Sequence, residues 1–117
     1  MLLPTMTETG YYAAEHLHRF GEIRKGQKDL GDKFFNYYGA VFTDGALSER
    51  EKALIALAVS HALRCPYCID AYTQSSLEKG ADLEQMTEAV HVATAIAAGS
   101  TLVYGVQMLE QVEKRGM

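Results

Sequence analysis

Pro66 stands in the middle of the most apolar part of the chain, between KALIALAVSHAL and IDAYTQSSLEK. Its ring fixes φ and removes the backbone donor, so a helix cannot run through it cheaply, yet the first position of a new helix suits it well. One helix is therefore expected to end near Arg64 and a second to begin near Cys65. The other boundaries follow from that break. Ser48 and Glu51 form an S-x-x-E capping box directly before the apolar run, the strongest helix start in the chain. Gly80 is placed to close the helix that Cys65 opens, and Asp82 with Gln85 caps LEQMTEAVHVATAIAAG. A last helix over 101–114 is expected to turn Leu102, Val106, Leu109 and Val112 inward. Upstream, Leu30, Phe34, Tyr37, Tyr38, Val41 and Phe42 share one helical stripe despite Gly39, and TDGA makes a turn. No stretch alternates polar and apolar residues. The expected fold class is all-α, a helical bundle in which a central apolar helix precedes a helix headed by C-x-x-C.

With 117 residues the chain has the size of one domain. Residues 1–29 read as an N-terminal arm, where the helical spacing of YYAAEHLHRF is interrupted by Gly21, Gly26 and Gly31; residues 30–117 read as the helical domain. The net charge of −4 leaves no electrostatic footprint for nucleic acid or an anionic membrane. MLLPTMTETGYY has neither a basic leader nor a long apolar run, and no stretch approaches the about 18 apolar residues of a membrane span. The expected location is the cytoplasm. Small residues along the last long stretch (Ala89, Ala93, Ala97, Gly99) let helices approach closely. Apolar surface on all sides of a small helical chain implies burial against another copy, hence a homo-oligomer.

The chemistry concentrates in CPYC, which holds the only two cysteines, Cys65 and Cys68. At the start of a helix both thiols lie near unpaired N–H groups and the positive end of the helix dipole, where a thiolate is stabilised. Three-residue spacing lets one sulfur resolve a sulfenic acid or mixed disulfide formed on the other. Two buried core cysteines are the plain alternative. A closed structural zinc site would need four ligands, and no second C-x-x-C or H-x₃-H pair exists, so no metal or cofactor is expected; a zinc shared between subunits through His61 or His91 is the variant of that reading. His61 precedes Cys65 by one helical turn, if the helix persists that far, and is the candidate base; Tyr72 follows Cys68 by the same interval as a polar wall. Glu51 extends the stripe two further turns, although capping already accounts for it. His16 and His18 sit in the arm with no role assigned.

The run LSEREKALIALAVSHALRCPYCIDAYTQSSLEKGAD, followed by AAGSTLVYG, resembles the alkylhydroperoxidase D-like branch of the carboxymuconolactone decarboxylase family over residues 47–105. KFFNYYGAVFTDGALSEREKALIALAVSHA and CPYCIDAYTQ further resemble its arsenosugar biosynthesis-associated peroxidase-like subgroup. The resemblance implies an all-helical fold, trimers or hexamers, and thiol-dependent reduction of a small-molecule peroxide with electrons from a separate thiol donor. The pattern of that branch, Glu-x₁₁-Cys-x₂-Cys-x₃-His, is matched at Cys65 and Cys68, but Ala53 stands at the Glu position and Tyr72 at the His position. Either His61 and Glu51 replace the proton relay from neighbouring turns, or the dithiol serves otherwise, for instance by holding a trivalent arsenical between two soft thiolates.

Overall fold

The computed structural model describes residues 13–116, and the first twelve residues of the arm, with Pro4 and the leader reading, lie outside them. Among the described residues the chain forms six α-helices and no strand: α1 (Ala14–His18), α2 (Lys28–Val41), α3 (Glu49–Ala62), α4 (Pro66–Glu78), α5 (Leu83–Val103) and α6 (Gly105–Lys114), with a 3-10 segment over Phe20–Lys25.

The starts follow the local chemistry. Ser48 accepts from the Glu51 N–H while Glu51 returns a bond to the Ser48 N–H, and Asp82 and Gln85 repeat that reciprocal arrangement at α5. α3 is the centre of the fold, with α4 and α5 packed against it. The core at their junction is small. Leu57 (2% exposed), Ala81 and Met86 form it, Leu54 and Tyr72 pack around it, and Ala53 is 1% exposed. The 3-10 segment lies on α2, where Arg24 meets Asp32 at 3.1 Å and covers the Phe35 ring at 4.6 Å. Gly31 permits that approach, because a Cβ there would fall 2.8 Å from the Arg24 Cγ and 3.2 Å from its Cα.

Three expectations are corrected. α5 does not stop at Gly99 but runs to Val103. Gly99 has no positive φ, and the hydroxyls of Ser100 and Thr101 bond back to the Ala97 carbonyl, so these residues are accommodated inside the helix. Leu102, Val106, Leu109 and Val112 do not point into a core of the described chain: Leu102 is 79% exposed, and α6 follows α5 outward. Leu83–Lys114 also has the length and composition to cross a membrane, and its apolar stretch is unburied. Thr, Ser and Gly interspersed among its alanines hide that property from a search for an unbroken apolar run.

The chain does not close on itself. It exposes 9287 Å², where a compact 12.9 kDa chain would expose about 6,300 Å². Its Cα radius of gyration is 19.3 Å, against about 13 Å for a compact chain of this length.

Candidate dithiol site

The site is built on the break between α3 and α4. α3 ends in a Schellman motif: the Cys65 N–H donates to the Ser60 carbonyl at 3.0 Å and the Arg64 N–H to the His61 carbonyl at 3.1 Å. Arg64, between them, takes the left-handed conformation at φ 54°. The chain then restarts at once. Cys65 is the N-cap of α4, its sulfur accepting the Cys68 N–H at 3.3 Å, and Pro66 follows at the first helical turn. Both cysteines are free and partly buried. Burial pushes the Cys68 thiol up to about 11, helped by its hydrogen bond to Cys65 and by charge on that sulfur, against a smaller opposing backbone bond. The Cys65 sulfur thus accepts the Cys68 N–H, while the Cys68 thiol keeps its proton well above neutral pH.

Two hollows meet at Cys68. One, of about 290 Å³, is lined by both cysteines together with His16, Tyr38, Tyr67 and Tyr72. The other, of about 610 Å³, lies between α2 and α3, is walled by apolar side chains such as Val41, Ile55 and Val59, and shares Tyr38, Cys68 and Tyr72 with the first. An aromatic row links them to the arm: Phe20 on Phe35 (ring centroids 4.9 Å apart), Phe34 on Tyr38 (5.5 Å), Tyr38 on Phe42 (5.1 Å), and Phe42 stacked on Tyr72 (5.2 Å). Burial first, then charge on Cys68 and Cys65, pushes the Tyr38 phenol up. Tyr38 therefore stays neutral at the site.

The candidate residues divide. Tyr72 lines both hollows and also packs on the core. His61 lines neither. Its Nδ1–H donates to the Leu57 carbonyl at 2.8 Å, and the ring faces a third hollow with Arg64, Ala93 and Ala97. The turn-by-turn register that would carry it to Cys65 is lost where the backbone reverses at Arg64. Glu51 stays at the opposite end of α3, bonded to the Ser48 N–H at 2.8 Å, and those bonds hold its carboxyl below the usual range. Glu49 pairs with Lys79 at 3.3 Å. His91 borders a surface hollow with Glu84 and Glu88. Ala53 is sealed in the core. No group of three or more His, Cys, Asp or Glu suited to a metal ion occurs among the described residues.

Sequence reasoning passed over three residues that the fold brings to the sulfurs: His16, Tyr38 and Tyr67. His16 Nδ1 lies 3.0 Å from the Tyr67 hydroxyl across 51 positions of sequence. Tyr67 was visible inside CPYC; nothing local marked His16.

The carboxymuconolactone decarboxylase family model matches residues 28–111. An uncharacterized protein encoded in the cox locus of Paracoccus denitrificans is 38% identical over 84 residues, covering 72% of this chain and 76% of that protein. Two solved structures have the same fold. One, a protein from Methanobacterium thermoautotrophicum, aligns at TM-score 0.70 with 34% identity, over 74% of this chain and 97% of that one. The other, a carboxymuconolactone decarboxylase family protein from Legionella pneumophila, aligns at TM-score 0.65 with 30% identity, over 86% and 89%.

Proposed function

Because the chain belongs to the carboxymuconolactone decarboxylase family, we propose that it is a dithiol oxidoreductase of the alkylhydroperoxidase-like kind, reducing a small hydroperoxide at Cys65 and Cys68. The observation that carries this reading is the Cys65 sulfur at the helix N-cap, accepting the Cys68 N–H at 3.3 Å, with both cysteines lining one accessible hollow. In the first step the Cys65 thiolate attacks the distal oxygen of the hydroperoxide. The O–O bond breaks, a sulfenic acid forms, and the alkoxide leaves as the alcohol after taking one proton. Cys68 then attacks the sulfenic sulfur. Its thiol proton departs with the hydroxide as water, and the pair becomes a disulfide. A separate dithiol reductant returns both electrons and both protons. Tyr72 and Tyr38 wall the reacting centre, and the apolar second hollow suits the organic part of the substrate.

A homo-oligomer, trimeric or hexameric and cytoplasmic, completes this reading. The exposed apolar faces of α5 and α6 are then covered by further copies rather than by a bilayer, which suits the Thr94, Ser100, Thr101 and Gln107 side chains along them.

The test is thiol loss in the reduced full chain on addition of an organic hydroperoxide, with recovery on addition of a dithiol. Oxidation well above that of a free dithiol, abolished by Cys65→Ser and halted at the sulfenic acid by Cys68→Ser, supports the assignment; wild-type turnover in Cys65→Ser ends it. A second reading is favoured by Ala53 and Tyr72, which leave no acid or imidazole at the relay positions. Two neighbouring thiols also suit a trivalent arsenical, each As–OH replaced by As–S with release of water. Titration with phenylarsine oxide that consumes no thiol excludes it.

A further inference from the structure

His16 comes from α1, upstream of the residues that the family model spans, yet it borders the hollow of the dithiol. Around that hollow the titratable side chains are the two cysteines, Tyr38, Tyr67, Tyr72 and His16. Imidazole is the one type among them whose ordinary titration spans neutral pH. On its other side His16 borders the shallow surface of the 3-10 segment, where Glu22 is engaged by both Arg19 and Lys25. Glu15 and His18 share its own short helix. The polar contact that ties His16 to the site is the one to the Tyr67 hydroxyl, at 3.0 Å, with the two rings 6.3 Å apart.

A phenol has a single proton to donate. When His16 Nδ1 lacks a proton, the Tyr67 O–H must point at it. When Nδ1 carries one, Nδ1–H donates to the phenol oxygen and the O–H is released to another acceptor. We propose that His16 and Tyr67 form the proton-delivery pair of the dithiol site, with Tyr67 protonating the departing alkoxide and His16 acting through it as a positioning and re-protonating residue. The inference rests on the peroxide-reducing reading above. In the sulfenic-acid step the alkoxide takes the Tyr67 proton, the phenolate oxygen takes the Nδ1 proton of His16, and His16 recovers one from water. The second step is self-balanced, since the Cys68 proton leaves as part of water. The N-terminal helix thereby supplies the proton relay that Ala53 and Tyr72 do not.

The experiment is single-turnover oxidation of the reduced full chain by tert-butyl hydroperoxide, followed as thiol loss from about pH 5 to 9, for wild type, His16→Gln and Tyr67→Phe. Iodoacetamide alkylation of Cys65 runs in parallel; it expels iodide and needs no proton. Both variants are expected to oxidise about a hundredfold more slowly and to lose the imidazole limb of the pH profile, while alkylation keeps its rate. Tyr67→Phe retains the ring and so separates loss of the proton from loss of the arm's docking. Wild-type rate and pH profile in both variants overturns the pair and leaves the peroxidase reading standing. Alkylation falling in step with oxidation overturns it too, by assigning these residues to structure alone. A wild-type chain oxidised no faster than a free dithiol, with Cys65→Ser unchanged, removes the peroxidase reading and the pair together.

Discussion

Two junctions between packed helices, at Arg64 and at Gly80, use the same backbone device with different residues. Each preceding helix ends in a Schellman motif, with Cys65 N–H to Ser60 O in one and Ala81 N–H to Ser76 O in the other. At the second junction the left-handed position belongs to Gly80 at φ 87°, and the next helix is capped by Asp82 in a reciprocal box. At the first, the same position holds an arginine at φ 54°, and the cap is a thiol. Glycine carries no steric penalty there and a carboxylate is a strong cap; arginine and cysteine are worse on both counts. The first junction is also one residue tighter, Cys65 serving at once as the end of one motif and the cap of the next. The weaker residues thus stand where the sulfurs are, as the dithiol role proposed above would require.

The largest effect comes from erasing that difference. Cys65→Asp gives α4 the cap that α5 has, so thermal melts at fixed chain concentration should show a gain of about 1 kcal/mol. Peroxide-driven thiol loss should fall to background; a variant that keeps its peroxidase rate would mean that the cap sulfur is not the reacting one.

Next in size is the titration of the pair. Thiolate absorbance in the wild type should rise for Cys68 only near pH 11. Cys65→Ser removes the partner sulfur's charge but not the burial, so the Cys68 thiol should titrate lower yet still above its ordinary value. The sign for stability follows: a thiol raised in the fold holds its proton where the unfolded chain has lost it. Its contribution is complete below about pH 9 and is lost as pH rises toward 11. A stability that instead grows across that window would contradict the burial of Cys68.

The smallest effect sharpens the backbone comparison. Gly80→Ala places a Cβ at positive φ and should cost about 1 kcal/mol, with no steric contact closer than Arg50 Nη1 at 3.9 Å to add to it. Arg64→Gly should move the other way, from neutral to about 1 kcal/mol stabilising. Equal and like-signed changes at the two sites in urea melts would show the junctions to be equivalent after all.

Much of the fold was legible because its signals are short-range. The boxes at Ser48 and Asp82, the proline at the first turn of α4 and the glycine at 80 each act through residues within about four positions. Gly99 misled, because a glycine ends a helix only where the backbone turns left-handed, and here Ser100 and Thr101 satisfy their hydroxyls within the helix. At the site, both cysteines and Tyr72 could be named from spacing. His61 could not be placed, since its register depends on the left-handed Arg64, an arginine that no residue preference marks. His16 was out of reach for another reason: its partner is 51 residues away, and nothing in the five residues of its short helix points to that contact.

The sequence by itself determined that this chain is all-helical, where its central helices begin, and that two thiols open one of them. Capping, proline geometry and amphipathic spacing are interactions between near neighbours that the chain carries wherever it goes. Only the tertiary structure decided which side chains share a hollow with the sulfurs, directing His61 away and bringing His16 and Tyr67 together, because such contacts depend on how whole helices pack. Packing also left apolar faces of α5 and α6 uncovered, with Val92, Ile96, Leu102 and Val106 all more than half exposed.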